Sequence, residues 1–189
     1  MSEVNAHGWV SVAVDEQHEE AARRIRAERD KQYGNLYSEE SSDKRWVGDL
    51  GELAFKSWLK ARGLAGVEWI RDNAAGKPDF ILPPNVRVGV KTVKRKGPPE
   101  PGYTAQITAK HAMEPADHFF FLSYEIERKT MWLLGGITHG IFLQDARHYG
   151  AGEWVHPGYQ IREGHEIYNV EITKLLPPDR WLSTVREAK

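Results

Sequence analysis

Pro78-Asp79-Phe80-Ile81-Leu82-Pro83-Pro84-Asn85-Val86-Arg87-Val88-Gly89-Val90-Lys91-Thr92 decides the fold. Pro78 opens a short apolar run, and Pro83-Pro84-Asn85 is an emphatic turn. From Val86 to Lys94 the chain alternates, with Val86, Val88 and Val90 facing one way and Arg87, Gly89, Lys91 and Val93 the other. The stretch therefore reads as a β-hairpin, one strand beginning at Asp79 and the other carrying Lys91. Cross-strand neighbours on one face lie about 5 Å apart, so Asp79 and Lys91 become neighbours although twelve residues separate them.

Working outward, the spacing upstream predicts a helix over 43–62, capped by Ser41 or Ser42 and stopped at Gly63. Trp46, Val47, Leu50, Leu53, Ala54 and Trp58 form its core stripe, with Glu52 on a flank shared with Gly48, Phe55 and Leu59. Each interior glycine costs about 1 kcal/mol relative to Ala, and a close backbone approach at Gly48 and Gly51 is the usual compensation. Asp15 to Gln32 is a charged helix with acids first and arginines last, as the helix dipole favours, and it reads as a surface helix of thin apolar content. Residues 1–14 give a short alternating piece that forms either an edge strand or a loose surface segment.

Downstream, strands are expected at Tyr103–Ile107, Phe119–Tyr124 and Met131–Leu134, with a further short one at Val67–Arg71 before the hairpin. The continuous apolar run 119–124 marks a strand buried on both faces. A short helix is expected over Thr108–Met113, after the strand at Tyr103–Ile107; Gly135-Gly136-Ile137-Thr138 reads as the end of the sheet, followed by a short helix over Ile141–His148, extended pieces at Trp154–Ile161 and Ile167–Ile172, and a closing helix after Pro178. The expected architecture is one α/β domain: a central mixed β-sheet flanked by helices, helix 43–62 on one face and the other helices opposite. Along the chain this divides into an N-terminal arm and charged helix (1–40), a core (41–138) and a C-terminal β-rich extension packed on it (139–189).

Composition excludes several functions. With no cysteine there is neither a disulfide nor a thiolate metal site, which removes zinc-finger and cysteine-nucleophile chemistry and suits a cytoplasmic setting. The eight histidines show no i, i+4 pair, so spacing offers no zinc site; His139, in a turn after the sheet, stands out from the rest. No apolar run approaches the roughly 18 residues of a membrane span, and no signal-peptide layout opens the chain. The net charge is −1, so any argument for nucleic acid rests on where the basic residues lie. Arg87, Lys91, Lys94, Arg95 and Lys96 fall within ten residues that contain no acid.

The order of Gly-flanked Glu52 on a helix, Pro78-Asp79, and a hydrophobic strand bearing Lys91 resembles the PD-(D/E)XK superfamily of metal-dependent nucleases, which includes restriction enzymes, Holliday-junction resolvases and phage exonucleases. The resemblance covers about residues 43–135 and implies a restriction-endonuclease-like core. It further implies a Mg²⁺ or Mn²⁺ ion held by Asp79 and Glu52, with Lys91 acting on the water or the phosphate. The superfamily places an acid two residues before the lysine; here that position is Gly89. Glu52 could stand in for that acid, and the backbone carbonyls of Gly89 and Val90 remain oxygen ligands.

The implied activity is hydrolysis of phosphodiester bonds in DNA, or alternatively RNA, without strong sequence specificity because no base-reading motif is visible. Arg87, Lys94, Arg95, Lys96, Gln106 and Lys110 are the candidate nucleic-acid contacts. Tyr103, Trp154, Tyr159 and Trp181 could stack on bases, although core packing is the commoner use of such residues. Two rivals stand beside this: a catalytically inactive protein of the same fold that binds nucleic acid, and a protein-interaction module whose charged N-terminal helix meets a partner or a second copy in a homodimer.

Overall fold

The computed structural model describes residues 2–34, 45–71 and 77–187, and the Ser41 or Ser42 cap expected for the second helix lies outside them. The chain is mixed α/β. Seven strands form the central sheet: β1 (Ser2–Val4), β2 (Val10–Ala13), β3 (Glu68–Trp69), β4 (Phe80–Leu82), β5 (Val86–Arg95), β7 (His118–Glu125) and β8 (Thr130–Thr138). Their order is β1-β2-β8-β7-β5-β4-β3. Only the β5–β7 pair is parallel; the other neighbours are antiparallel. Between β5 and β7 the chain makes β6 (Thr104–Thr108) and α3 (Ala109–Ala112), the crossover a parallel pair requires.

β7 shows how the sequence builds two cores. Phe120, Leu122 and Tyr124 point to one face and pack with Val47, Leu50, Phe55, Trp58 and Leu59 of α2 (Trp46–Ala61). Phe119 and Phe121 point to the other and pack with Ala105, Ile107, Phe142 and Val170. Every one of these residues is buried, which is why the run carries no polar alternation.

Three helices share the first face. α1 (Glu16–Tyr33) and α5 (Pro178–Glu187) join α2 there, through Ala22 and through Trp181, Leu182 and Val185. The second face carries α3, α4 (His139–Asp145) and a separate sheet of order β6-β12-β9, where β9 is Arg147–Tyr149 and β12 is Ile167–Glu171. This corrects the expectation that α2 alone covers its face with the remaining helices opposite. It also moves β6 out of the central sheet: β6 pairs with β12, so the last forty residues complete a layer begun by the core.

Four local expectations change, and the open alternative for the N-terminal piece is decided. The Gly135–Thr138 segment does not end the sheet; β8 runs through it with an irregularity opposite Phe121 and Leu122, and Leu176 pairs with Gly136. The N-terminal piece is a strand, since Val10–Ala13 pairs with Thr130–Leu133. The last short helix begins earlier than expected, at His139, because Thr138 caps it, its hydroxyl accepting the Ile141 N–H. In α2 the flank bearing Glu52, Phe55 and Leu59 is buried, while Leu53 and Ala54 are half-buried. Of its two glycines, Gly51 meets Thr92 on β5, whereas Gly48 has nothing close by.

Candidate functional site

The site is assembled at the junction of β4, β5, the C-terminal end of α3 and the α1–α2 pair. Phe80 lies opposite Val88, and the Asp79 N–H donates to the Val88 carbonyl at 3.1 Å, which brings Asp79 level with Gly89. The Val90 N–H in turn donates to Asp79 Oδ2 at 2.6 Å. Lys91, two residues beyond Gly89 on the same face of β5, brings its Nζ to 3.9 Å from Asp79 Oδ2. Burial pushes the Asp79 carboxyl up to about 7, against the pull of the Lys91 ammonium, with Glu52 and Glu114 adding negative charge nearby and the Val90 N–H favouring the ionised form.

Glu52 is buried on α2, and its carboxylate is held in place. Arg29 of α1 donates to both of its oxygens at 2.8 Å, and Trp69 Nε1 donates to Oε2 at 2.6 Å. Arg29 also reaches Asp49 Oδ1 at 2.6 Å, while Arg26 reaches Asp49 Oδ2 at 2.7 Å. Asp49 is fully buried, and burial raises its carboxyl to about 6 against the pull of the two arginines. Helix α1 is thus an ion-paired partner of α2 rather than the thinly packed surface helix its composition suggests. The aspartate that anchors it, Asp49, went unnoticed in the sequence, although an acid one turn before Glu52 facing two arginines at i, i+3 was a usable signal.

The structure adds a carboxylate that sequence reasoning missed. Glu114, just after α3, places Oε2 at 2.9 Å from Lys91 Nζ and Oε1 at 3.7 Å from His111 Nε2. His111 Nδ1 lies 2.9 Å from Thr108 Oγ1, and burial, with Lys91 and Lys110 nearby, depresses the ring to about 3, so it is neutral. The segment bearing Glu114 is pinned on either side of it. The His139 ring spans the Ala112 and Ala116 carbonyl oxygens at 2.7 and 2.9 Å, and Asp117 accepts from both the main chain and the guanidinium of Arg87. The only sequence clue to Glu114 is its position at the end of a crossover returning to the strand beside Lys91.

The basic candidates do not form one surface. Arg87 is tied to Asp117, and Arg95 is half-buried, donating to the Thr104 carbonyl and stacking over Tyr103 at 4.3 Å. Strand alternation puts Lys94 on the side of β5 opposite Lys91 and Arg95; Lys94, Lys96 and Lys110 are exposed. Gln106 is half-buried, with Nε2 3.5 Å from the Tyr159 hydroxyl. Of the aromatic candidates, Trp181 is core, whereas Trp154 is 59% exposed on β10 (Trp154–His156).

Among the described residues, no three histidine or carboxylate groups are drawn close enough to enclose a metal ion. The donors present are still of the right type for magnesium, which binds through one or two carboxylates and keeps several waters. No helix among the described residues is long and apolar enough to cross a membrane. Neither protein-family profiles nor curated protein sequences give a match to this chain.

Proposed function

We propose that this protein hydrolyses phosphodiester bonds in DNA, without strong sequence specificity, using a divalent cation at Asp79. The reading is carried by one observation: an aspartate and a half-buried lysine meet at 3.9 Å on adjacent strands, one at the entry to β4 and the other on β5, and burial raises the carboxyl there. Such a raised carboxyl beside a cation is a common property of reactive sites. Exposed Lys110, whose charge reaches His111 beside Glu114, supplies positive charge close to it.

A bound Mg²⁺ or Mn²⁺ ion supplies Lewis-acid polarisation of the phosphate and a more acidic water. Asp79 would hold it, with Gly89 and Val90 carbonyls as backbone candidates. Glu52 would contribute through the lone pair that its bonds from Arg29 and Trp69 leave on Oε1. Lys91, an ammonium facing carboxylates, orients the attacking water and offsets charge gathering on the phosphoryl oxygens as the phosphorus–oxygen bond to the leaving strand breaks. Neutral His111, half-buried behind Glu114, adds no charge of its own.

A second reading draws on a specific observation. Because Arg29 and Trp69 occupy both oxygens of Glu52, and Gly89 has no carboxylate, the same fold could bind nucleic acid without turnover. One assay separates the two: nicking and degradation of single-stranded, double-stranded and branched DNA, and of RNA, with Mg²⁺ or Mn²⁺, comparing wild type with Asp79→Ala and Lys91→Ala. Metal-dependent cleavage lost in both variants supports the nuclease. Salt-sensitive binding unchanged by Asp79→Ala, without cleavage, supports the binding protein, and cleavage unchanged by Lys91→Ala removes the assignment.

A further inference from the structure

The geometry points to Glu114 as the carboxylate that takes over the role of the acid absent at residue 89, binding the divalent ion together with Asp79. This rests on the nuclease reading above and deepens it.

Three relationships support it. First, residue 89 lies level with Asp79, yet it could not carry an acid without rearrangement. A Cβ built on Gly89 would lie 3.0 and 3.2 Å from the Phe119 ring and 3.6 Å from Lys91 Cε, so that space already belongs to a core aromatic residue. Phe119 is fully buried in the second core and packs edge-on against Phe142 and His139. An acid at 89 would press the Phe119 ring aside by a few tenths of an ångström, whereas a carboxylate arriving from another element reaches the site without displacing it.

Second, Glu114 and Asp79 converge on one cation. Lys91 Nζ is 2.9 Å from Glu114 Oε2 and 3.9 Å from Asp79 Oδ2, so both acids face the same small volume from different elements, the segment after α3 and the start of β4. The Glu114 side chain is 12% exposed, which favours a partnered charge over a solvated one.

Third, Glu114 is fixed and Glu52 is committed. His139 ties the main chain at Ala112 and Ala116, and Asp117 ties the segment to Arg87 at the head of β5. Glu52, by contrast, is held by Arg29 and Trp69 on the α1–α2 side, where it balances buried guanidinium charge. Glu52 and Asp49 thus brace the helix pair, although the Glu52 charge also reaches Asp79, and Asp79 and Glu114 are the two acids that share Lys91. Two carboxylates with water completing the shell suit magnesium, whose coordination needs few protein ligands.

The test is binding of Mn²⁺ itself at pH 8, without substrate, by wild type, Asp79→Asn and Glu114→Gln of the full chain, reading free Mn²⁺ by electron paramagnetic resonance. Wild type should bind, and each variant should weaken binding by about tenfold or more, at least the loss caused by removing an outer-shell partner. Wild-type affinity in Glu114→Gln alongside loss in Asp79→Asn removes Glu114 and leaves the ion site standing. No binding by wild type, or binding indifferent to Asp79, removes the ion site itself and Glu114 with it. Should Glu114→Gln fail to fold, Fe²⁺ and ascorbate on wild type give a second readout: radical cleavage of the chain near both 79 and 114 supports the pairing, and cleavage near 79 alone overturns it.

Discussion

The guanidinium of Arg29 donates one hydrogen bond to each oxygen of Glu52, both at 2.8 Å, joining the last turns of α1 to the middle of α2. Both side chains are almost completely buried. A parallel fork geometry of this kind is among the stronger charge-assisted contacts, and its low exposure makes each partner dependent on the other.

Arg29→Ala leaves Glu52 and Asp49 as buried carboxylates with one guanidinium removed. The expected cost is about 3–5 kcal/mol, read as a drop in the urea unfolding midpoint. Arg26→Ala should cost less, because Arg26 is more exposed and pairs with Asp49 alone in the buried cluster.

Asp79 carries a pH dependence with a definite sign. Its folded value of about 7 lies above the usual 3.8, so the fold prefers the protonated carboxyl, and the associated stability is full below about 4 and lost as pH rises through 7. Asp79→Asn, which still accepts the Val90 N–H, should therefore unfold at a higher temperature than wild type at pH 8, by on the order of 1–2 kcal/mol, with the gap closing toward pH 5. Asp49 titrates in the same direction in both proteins and cancels from the comparison.

His111 works in the opposite direction. Its folded value near 3 lies below the ordinary 6.5, so the neutral ring contributes stability above 6.5 that is lost as pH falls toward 3. The charged neighbours facing it are Lys91 and Lys110, which oppose protonation, and Glu114. Its ring ¹⁵N shifts should stay constant between pH 7.5 and 4.5; titration near 6.5 would refute the neutral assignment.

Gly51 and Thr92 set the distance between α2 and β5. A Cβ on Gly51 would stand 1.9 Å from Thr92 Oγ1, and that hydroxyl has no hydrogen-bond partner among the described residues. Gly51→Ala should destabilise by about 1–3 kcal/mol through overpacking, and Thr92→Ala in the same chain should recover part of the loss. Additive costs in a double-mutant cycle would mean that the two residues do not oppose each other.

The hairpin was legible because its information is local. Period-two alternation and the Pro83-Pro84-Asn85 turn fix the register that sets Asp79 beside Gly89, and the strand face of Lys91 follows from parity alone. Helix α2 was legible for the same reason, and Val47, Leu50 and Trp58 of its expected stripe are buried, but the face is turned: Trp46, Leu53 and Ala54 are only half-buried, while Phe55 and Leu59 enter the core. Glu52 sits on that buried flank, so its partners depended on which way the helix turned.

The sequence alone determined the α/β class, the hairpin that presents Asp79 and Lys91, the buried strand over 119–124 and the absence of cysteine chemistry. These depend on residues a few positions apart, where backbone geometry dictates the outcome. Tertiary structure alone decided that Arg29 would hold Glu52, that β6 would pair with β12 across sixty residues, and that Glu114 would reach Lys91. Those contacts join segments far apart in the chain, and burial selects them: a charge removed from water must find a partner wherever the packed layers bring one within reach.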